Sequence, residues 1–156
     1  MTAISDLNSL LKEDLNQLAE LDRLLQQEQE FLAGAQISEL EPLTPGKDQL
    51  LNNLRERAKA KIRVLVAMGF TPSSGAPSRF IQAAGFEDTY ALWKQADDMM
   101  RACHRQNQVN QRVLENLQRR LNRLTEIFRG SGQRPQLYGA KGQQQSVGHT
   151  TVLASA

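Results

Sequence analysis

The chain has 156 residues, enough for one domain of ordinary size, and carries a net charge of only +2. Hydrophobic residues make up 40% of the sequence and aromatic residues 5%, a balance that favours long leucine-rich helices over a compact aromatic core. The single cysteine, Cys103, excludes an internal disulfide framework, and charges scattered through the N-terminus leave no apolar stretch for a signal peptide. No segment has the length of apolar sequence that a membrane span requires, so we expect a cytoplasmic protein.

The positive and negative charges are unevenly distributed along the chain. Residues 1–41 hold nine acids and two bases, a net charge of −7, which leaves +9 for the remainder. Between Arg101 and Arg134 there are eight arginines and two acids. Opposite charges on neighbouring helices favour their pairing, so the pattern predicts an acidic helix packed beside a basic one. A polyanion-binding face is the alternative interpretation.

A first helix is predicted over residues 5–33. Apolar residues recur at every seventh position and at some positions three residues further on, which indicates a helix with a broad buried face. These positions are Ile4, Leu11, Leu18, Leu25 and Leu32, with Leu7 and Leu21 between them. Gly34 is placed to end this helix.

Two further helices are predicted before the longest one. Thr44-Pro45 reads as an N-cap followed by proline at the first helical position, and it begins a helix over residues 45–68 that Gly69 closes. Turn-forming residues then make a loop, and a short helix is predicted over residues 78–84. The expected buried positions of the second helix are Leu50, Leu51, Leu54, Ala58, Ile62, Leu65 and Val66.

The longest predicted helix covers residues 86–129, which contain neither proline nor glycine. At 1.5 Å per residue, such a helix is about 65 Å long. Six heptads keep one register, which is typical of a coiled coil or an elongated bundle. One seam row comprises Phe86, Trp93, Met100, Asn107, Leu114, Leu121 and Phe128, and the other comprises Thr89, Ala96, Cys103, Asn110, Leu117 and Leu124.

Residues 130–156 differ from the rest in composition. They contain five of the ten glycines, five glutamines and no acid, without a sustained period. Such a segment cannot bury enough apolar area to offset its ordering entropy. We therefore predict an all-α fold: an elongated antiparallel helical hairpin or three-helix bundle with coiled-coil packing over residues 1–129, followed by a flexible C-terminal tail.

No set of residues suited to catalysis or metal binding stands out. His104 directly follows Cys103, so the two side chains point to different sides of a helix and cannot chelate one ion. Cys103 falls on the predicted buried stripe and is interpreted as a small core residue. The glycine-rich pairs of the C-terminal segment precede no helix, so they are poor nucleotide sites. We expect no enzyme activity, no metal and no cofactor.

Two features of the longest helix leave alternatives open. Asn107 and Asn110 fill both seam positions of one heptad, where a buried Asn can fix the helix register. The last seam residues are either bundle core or, where a shorter first helix ends before them, an exposed apolar stripe that recruits partner helices or causes oligomerisation. These residues are Leu114, Leu117, Leu121, Leu124 and Phe128.

Four features, in their order and spacing, resemble the FlgN family of flagellar export chaperones. The first is a leucine-rich helix that leads to the pattern Leu40, Leu43, Lys47, Leu50 and Leu51. The second is Leu92-Trp93 near the start of the long helix, the third is Asn107-x-x-Asn110, and the last is Leu137-Tyr138-Gly139 with Gly142. The chain departs from the family pattern at Gln111, where a glycine commonly follows the second Asn.

The resemblance implies a cytosolic chaperone that binds the terminal segments of hook-associated junction proteins, prevents their premature assembly and delivers them to the flagellar type III export gate. It implies cargo binding at the C-terminal end of the long helix with the following tail, and the candidate contacts on the helix are Leu114, Leu117, Leu121, Leu124 and Phe128. It also makes Tyr138 the candidate contact with the export gate, and Trp93, Asn107 and Asn110 the family signature.

Two other functions are kept as alternatives. The same apolar stripe could make the chain a homodimeric coiled-coil adaptor. The arginines of the second half could bind nucleic acid, but aromatic side chains for base stacking are missing among them, so we expect no nucleic-acid partner.

Overall fold

The structure of the protein, a computed structural model, describes the backbone of residues 2–140 and the side chains of residues 2–131. It contains four α-helices: α1 (Ala3–Ala33), α2 (Thr44–Ala67), α3 (Pro77–Ala83) and α4 (Glu87–Ala140). Short 3-10 turns at Ile37–Glu39, Glu41–Leu43 and Pro72–Ser74 lie in the connections. Residues 2–140 contain no strand, which confirms the predicted all-α fold.

By its internal contacts, the chain divides into two units, Met1–Asn110 and Gln111–Ala156, and α4 contributes residues to both. Among the described residues, no helix is both long and apolar enough to cross a membrane.

The leucine row of α1 forms the centre of the first unit. The five fully buried or nearly buried leucines Leu7, Leu11, Leu18, Leu21 and Leu25 all come from this row, and Leu32 extends it. The seven-residue repeat therefore predicted the buried face of α1 correctly. Leu50, Leu54, Leu65, Phe70, Ile81, Ala96 and Cys103 complete the same core.

On α2 the predicted buried face is wrong in two places. Ala58 is exposed and Val66 is 47% exposed, whereas the charged residue Arg57 is buried. Arg57 is buried because it pairs with a buried acid on α1, Asp14, which also contacts Lys61. The spacing of apolar residues along α2 gives no information on which cations must be buried to pair with Asp14.

α2 ends at a glycine, as predicted. Gly69 has a φ of +107°, a conformation that side chains other than glycine rarely adopt. The N–H of Phe70 donates to the carbonyl of Leu65 at 2.9 Å, which closes the helix with a Schellman motif.

α1 ends with the same motif, but on a different residue from the one predicted. The left-handed residue is Ala35, with a φ of +55°, while Gly34 has a φ of −89°. The N–H of Gln36 donates to the carbonyl of Phe31 at 2.8 Å and closes the motif. The glycine therefore lies one position before the site where its lack of a Cβ would help.

α4 begins at Glu87 and continues past Arg129, the predicted end, to Ala140. Gly130 and Gly132 lie within it. A glycine inside a helix costs about 1 kcal/mol relative to alanine but removes no backbone hydrogen bond, so it weakens a helix without stopping it. Residues 141–156 of the predicted tail lie outside the described residues, and its flexibility stays a prediction.

Candidate partner-binding surface

Asn110, the second Asn of the signature, is buried and fully bonded within the first unit. Its Nδ2 donates to the carbonyl of Leu25 at 2.9 Å and to Glu28 Oε1 at 3.3 Å, and its Oδ1 accepts from Gln106 Nε2 at 2.8 Å. Because a one-residue shift of α4 against α1 would break these bonds, Asn110 fixes the register of the two helices. This geometry matches the structural interpretation of the signature.

Glu28 extends that polar cluster to α2. Lys47 Nζ lies 3.2 Å from Glu28 Oε1 and 3.3 Å from Oε2, with side chains that are 17% and 10% exposed. One acidic residue of α1 thus binds both α2 and α4. Lys47 belongs to the leucine-lysine pattern of the family resemblance, and the structure gives it this packing role.

A second polar cluster surrounds Asp14, about four turns before Glu28 on α1. Arg57 Nε lies 2.6 Å from Asp14 Oδ1 and Lys61 Nζ lies 2.5 Å from Oδ2, while Asp14 itself is 1% exposed. Lys61 Nζ also lies 5.0 Å from the ring centroid of Trp93 on α4, a cation–π contact. Trp93, another signature residue, therefore completes a cluster that joins α1, α2 and α4.

The sequence analysis missed both of these acids, although a signal was present. Asp14 and Glu28 occupy the same seven-residue row as Leu7 and Leu21. A buried carboxylate requires a paired cation, so the two acids in a leucine row predict buried lysine or arginine on a neighbouring helix.

Asn107 and Cys103 line the same side of α4 as Asn110. Asn107 is half-buried, and its Oδ1 is shielded from solvent without a hydrogen-bond partner among the described residues. Cys103 is 4% exposed, and burial, with the nearby charge of Asp22, raises the pKa of its thiol. A thiol held in the neutral form is unsuited to nucleophilic attack, which agrees with its interpretation as a core residue.

In the second unit, apolar side chains of α4 are exposed to solvent. Leu121 is 52% exposed, Leu124 51% and Phe128 74%, while Leu114 and Leu117 are half-buried. These five residues are called the apolar row below. Val113, at 37%, and Ile127, at 57%, are also exposed beside it, and the sequence analysis did not single them out.

The side chain of Tyr138, the candidate gate contact, lies outside the described residues. An open groove of about 800 Å³ lies between α1 and α2 in the first unit. Its walls combine amide and charged side chains, including Gln17, Glu20 and Gln49, with the leucines Leu24 and Leu50. No group of three potential metal ligands occurs within the part of the chain that the structure describes.

The described residues thus form an all-helical protein that carries an exposed row of apolar side chains on α4. The model of the family described as FlgN protein matches residues 1–146, and the chain belongs to this family of flagellar export chaperones. The resemblance inferred from the sequence is thereby confirmed. Searches of curated proteins and of solved structures each found no match.

Proposed function

We propose that this chaperone binds the terminal segments of hook-associated junction proteins in the cytoplasm, prevents their premature assembly and delivers them to the flagellar export gate. Membership of the FlgN family supports an export chaperone role in general. The single observation that supports the finer assignment is the exposure of the apolar row near the C-terminal end of α4.

The row has the geometry that an amphipathic partner helix requires. Its members recur at spacings of three and four residues, so they lie along one side of α4. Apolar surface removed from water is worth about 25 cal/mol per Å², so a few hundred Å² buried against a partner gives several kcal/mol before ordering costs. That range suits a cargo which must be held and later released.

The length of α4 supports the same site. α1 has 31 residues and α4 has 54, so α1 is too short to pack along the whole of α4. Part of a heptad row on α4 is thus available to another chain. Tyr138 is the proposed contact with the export gate, which would keep cargo binding and gate docking on different residues.

Cargo binding at the apolar row is tested by removing two of its leucines. We expect Leu121→Ala with Leu124→Ala to weaken binding of a junction-protein C-terminal peptide at least tenfold in calorimetry, because truncated side chains at an interface centre cost about 1–2 kcal/mol each. Helicity should persist, since both side chains are about half exposed.

Val66→Ala is the matched control, because Val66 is an apolar residue of α2 with a similar exposed fraction, 47%. It should leave the affinity unchanged. Equal affinity of the double variant and the native chain for the peptide would show that the apolar row is not the cargo-binding site.

The exposure of the row also makes the homodimeric adaptor a second candidate. That function predicts a concentration-dependent doubling of the mass in light scattering, abolished by the same two substitutions. If the protein is a monomer at all concentrations and binds the peptide, the adaptor function is excluded and the export chaperone is the remaining candidate.

A further inference from the structure

The apolar row has two different borders. On one side, Val113, Arg120 and Ile127 each directly precede a member of the row and repeat every seventh residue; these three form the flanking row. On the other side, the residues that follow the row are uncharged: Gln118 and Thr125. A single charge, that of Arg120, therefore lies directly beside the apolar surface.

Among the α4 side chains that the structure describes, Arg120 has no acidic partner. At 100° per residue, Glu115 and Glu126 lie on the opposite side of α4 from the apolar row. Glu126 pairs there with Arg129 at 3.6 Å. Arg123 lies one turn beyond Arg120, and within residues 2–131 no carboxylate comes within 4.0 Å of either arginine.

We infer that the partner of the apolar row is an amphipathic helix that carries aspartate or glutamate beside its own apolar face, positioned against Arg120. This inference rests on the proposed function and names the chemistry of its cargo. An arginine at the edge of an interface gains most from a carboxylate, which it can bind with two parallel hydrogen bonds.

A second copy of this chain fits the surface poorly. Residues that border the seams of two paired helices meet each other across the interface. In a homodimer, Arg120 would meet Gln118 or Thr125 of the other copy, or its Arg120, and never an acid. The cationic edge thus acts against self-pairing and favours a partner of opposite charge.

The charge preference should be moderate and sensitive to salt. A pair between partly exposed charges changes affinity by about two- to fivefold. Ions at physiological strength screen charges over about 8 Å, so added salt should reduce the preference without removing the apolar contribution.

The test uses the full chain and two synthetic amphipathic peptides with the same leucine-rich apolar face. One peptide carries Glu beside that face and the other carries Gln at the same positions. We expect the Glu peptide to bind about two- to fivefold more tightly in calorimetry at low salt. Arg120→Gln should bring the affinities of the two peptides closer together. Arg120→Glu should reverse the charge preference, so that a peptide with Lys at the same positions binds more tightly than the Glu peptide.

Arg119→Gln is the matched control, because Arg119 is the neighbouring residue but lies on the far side of α4 and bonds Asn116. It should leave the ratio of the two affinities unchanged. Equal affinity of the two peptides for the native chain would overturn this inference. If the Leu121→Ala, Leu124→Ala variant then bound neither peptide, the apolar row would remain the proposed cargo site. Binding of neither peptide would overturn the row as a docking surface and this inference with it.

Discussion

At the scale of single residues, Asp14 illustrates how a charge can occupy a leucine row. Its side chain is 1% exposed and contacts Arg57 and Lys61, so each of its oxygens faces a cation. Such a pair contributes little net stability compared with apolar residues of the same volume, but it specifies which helices pack together. Only a neighbour with cations at matching positions can cover this part of α1.

Removing this carboxylate should destabilise the fold strongly. We expect Asp14→Ala to lower the free energy of unfolding by about 3–5 kcal/mol, because Arg57 and Lys61 would lose their buried counter-charge and only the exposed Glu13 would remain near Arg57. The measurement is urea unfolding followed by circular dichroism. Glu13→Gln provides the control, since Glu13 lies 3.7 Å from Arg57 with a side chain that is 58% exposed.

The control should change stability by less than about 0.5 kcal/mol. A similar small effect for Asp14→Ala would mean that the cluster around Arg57 is hydrated and that the three-helix junction at Trp93 does not depend on it.

At the scale of elements, the end of α1 contains a conformational cost that the other helices avoid. Ala35 holds the left-handed position of the closing motif, with a φ of +55°, where α2 has Gly69. A left-handed conformation costs a residue with a Cβ about 1–2 kcal/mol. Replacing it by glycine removes this cost, but the unfolded chain then gains flexibility, which cancels a part of the stabilisation.

We therefore expect Ala35→Gly to stabilise the protein by about 0.5–1 kcal/mol, visible as a higher urea midpoint with an unchanged slope. The contrasting variant is Gly69→Ala, which places a Cβ at the φ of +107° and should destabilise by about 1 kcal/mol or more. Destabilisation by Ala35→Gly would show that the turn after α1 is not strained in solution.

The elements also show where sequence periodicity stops being informative. Leucines at every seventh position predicted the buried face of α1 correctly, because the core of the first unit forms around these leucines. The same reasoning was wrong on α2, where Ala58 is exposed and Arg57 is buried instead, paired with Asp14. An ion pair between two helices depends on how the helices pack, so it produces no periodic pattern in the sequence of either helix.

The apolar row presented the same difficulty for the site. Leu11 and Leu121 both belong to seven-residue rows, yet one is fully buried and the other is 52% exposed. Exposure depends on which helix lies alongside, and that depends on helix lengths and connections rather than on the row itself. The sequence could therefore nominate these residues but could not distinguish core from surface.

At the scale of the whole molecule, the two units differ in how they use α4. In Met1–Asn110, α4 contributes buried residues such as Ala96, Cys103 and Asn110. In Gln111–Ala156, its described apolar residues Leu121, Leu124 and Phe128 are exposed. One helix thus provides core to the first unit and solvent-accessible apolar surface in the second.

This division predicts that cargo binding and export can be separated by truncation. A chain that ends at Arg129 keeps the apolar row and the flanking row, so we expect it to bind a junction-protein peptide within about twofold of the full chain. It lacks Tyr138, the proposed gate contact, so secretion of junction proteins by cells that carry only this form should fall sharply.

Point variants of Tyr138 distinguish the role of that side chain from the rest of the removed segment. Tyr138→Ala should reproduce the loss of secretion with unchanged peptide affinity, and Tyr138→Phe should retain most of the secretion, since an aromatic ring contributes most of its contact area without the hydroxyl. A truncated chain that binds peptide much more weakly would instead assign residues 130–156 to the cargo site, because the row alone would then be insufficient to hold the cargo.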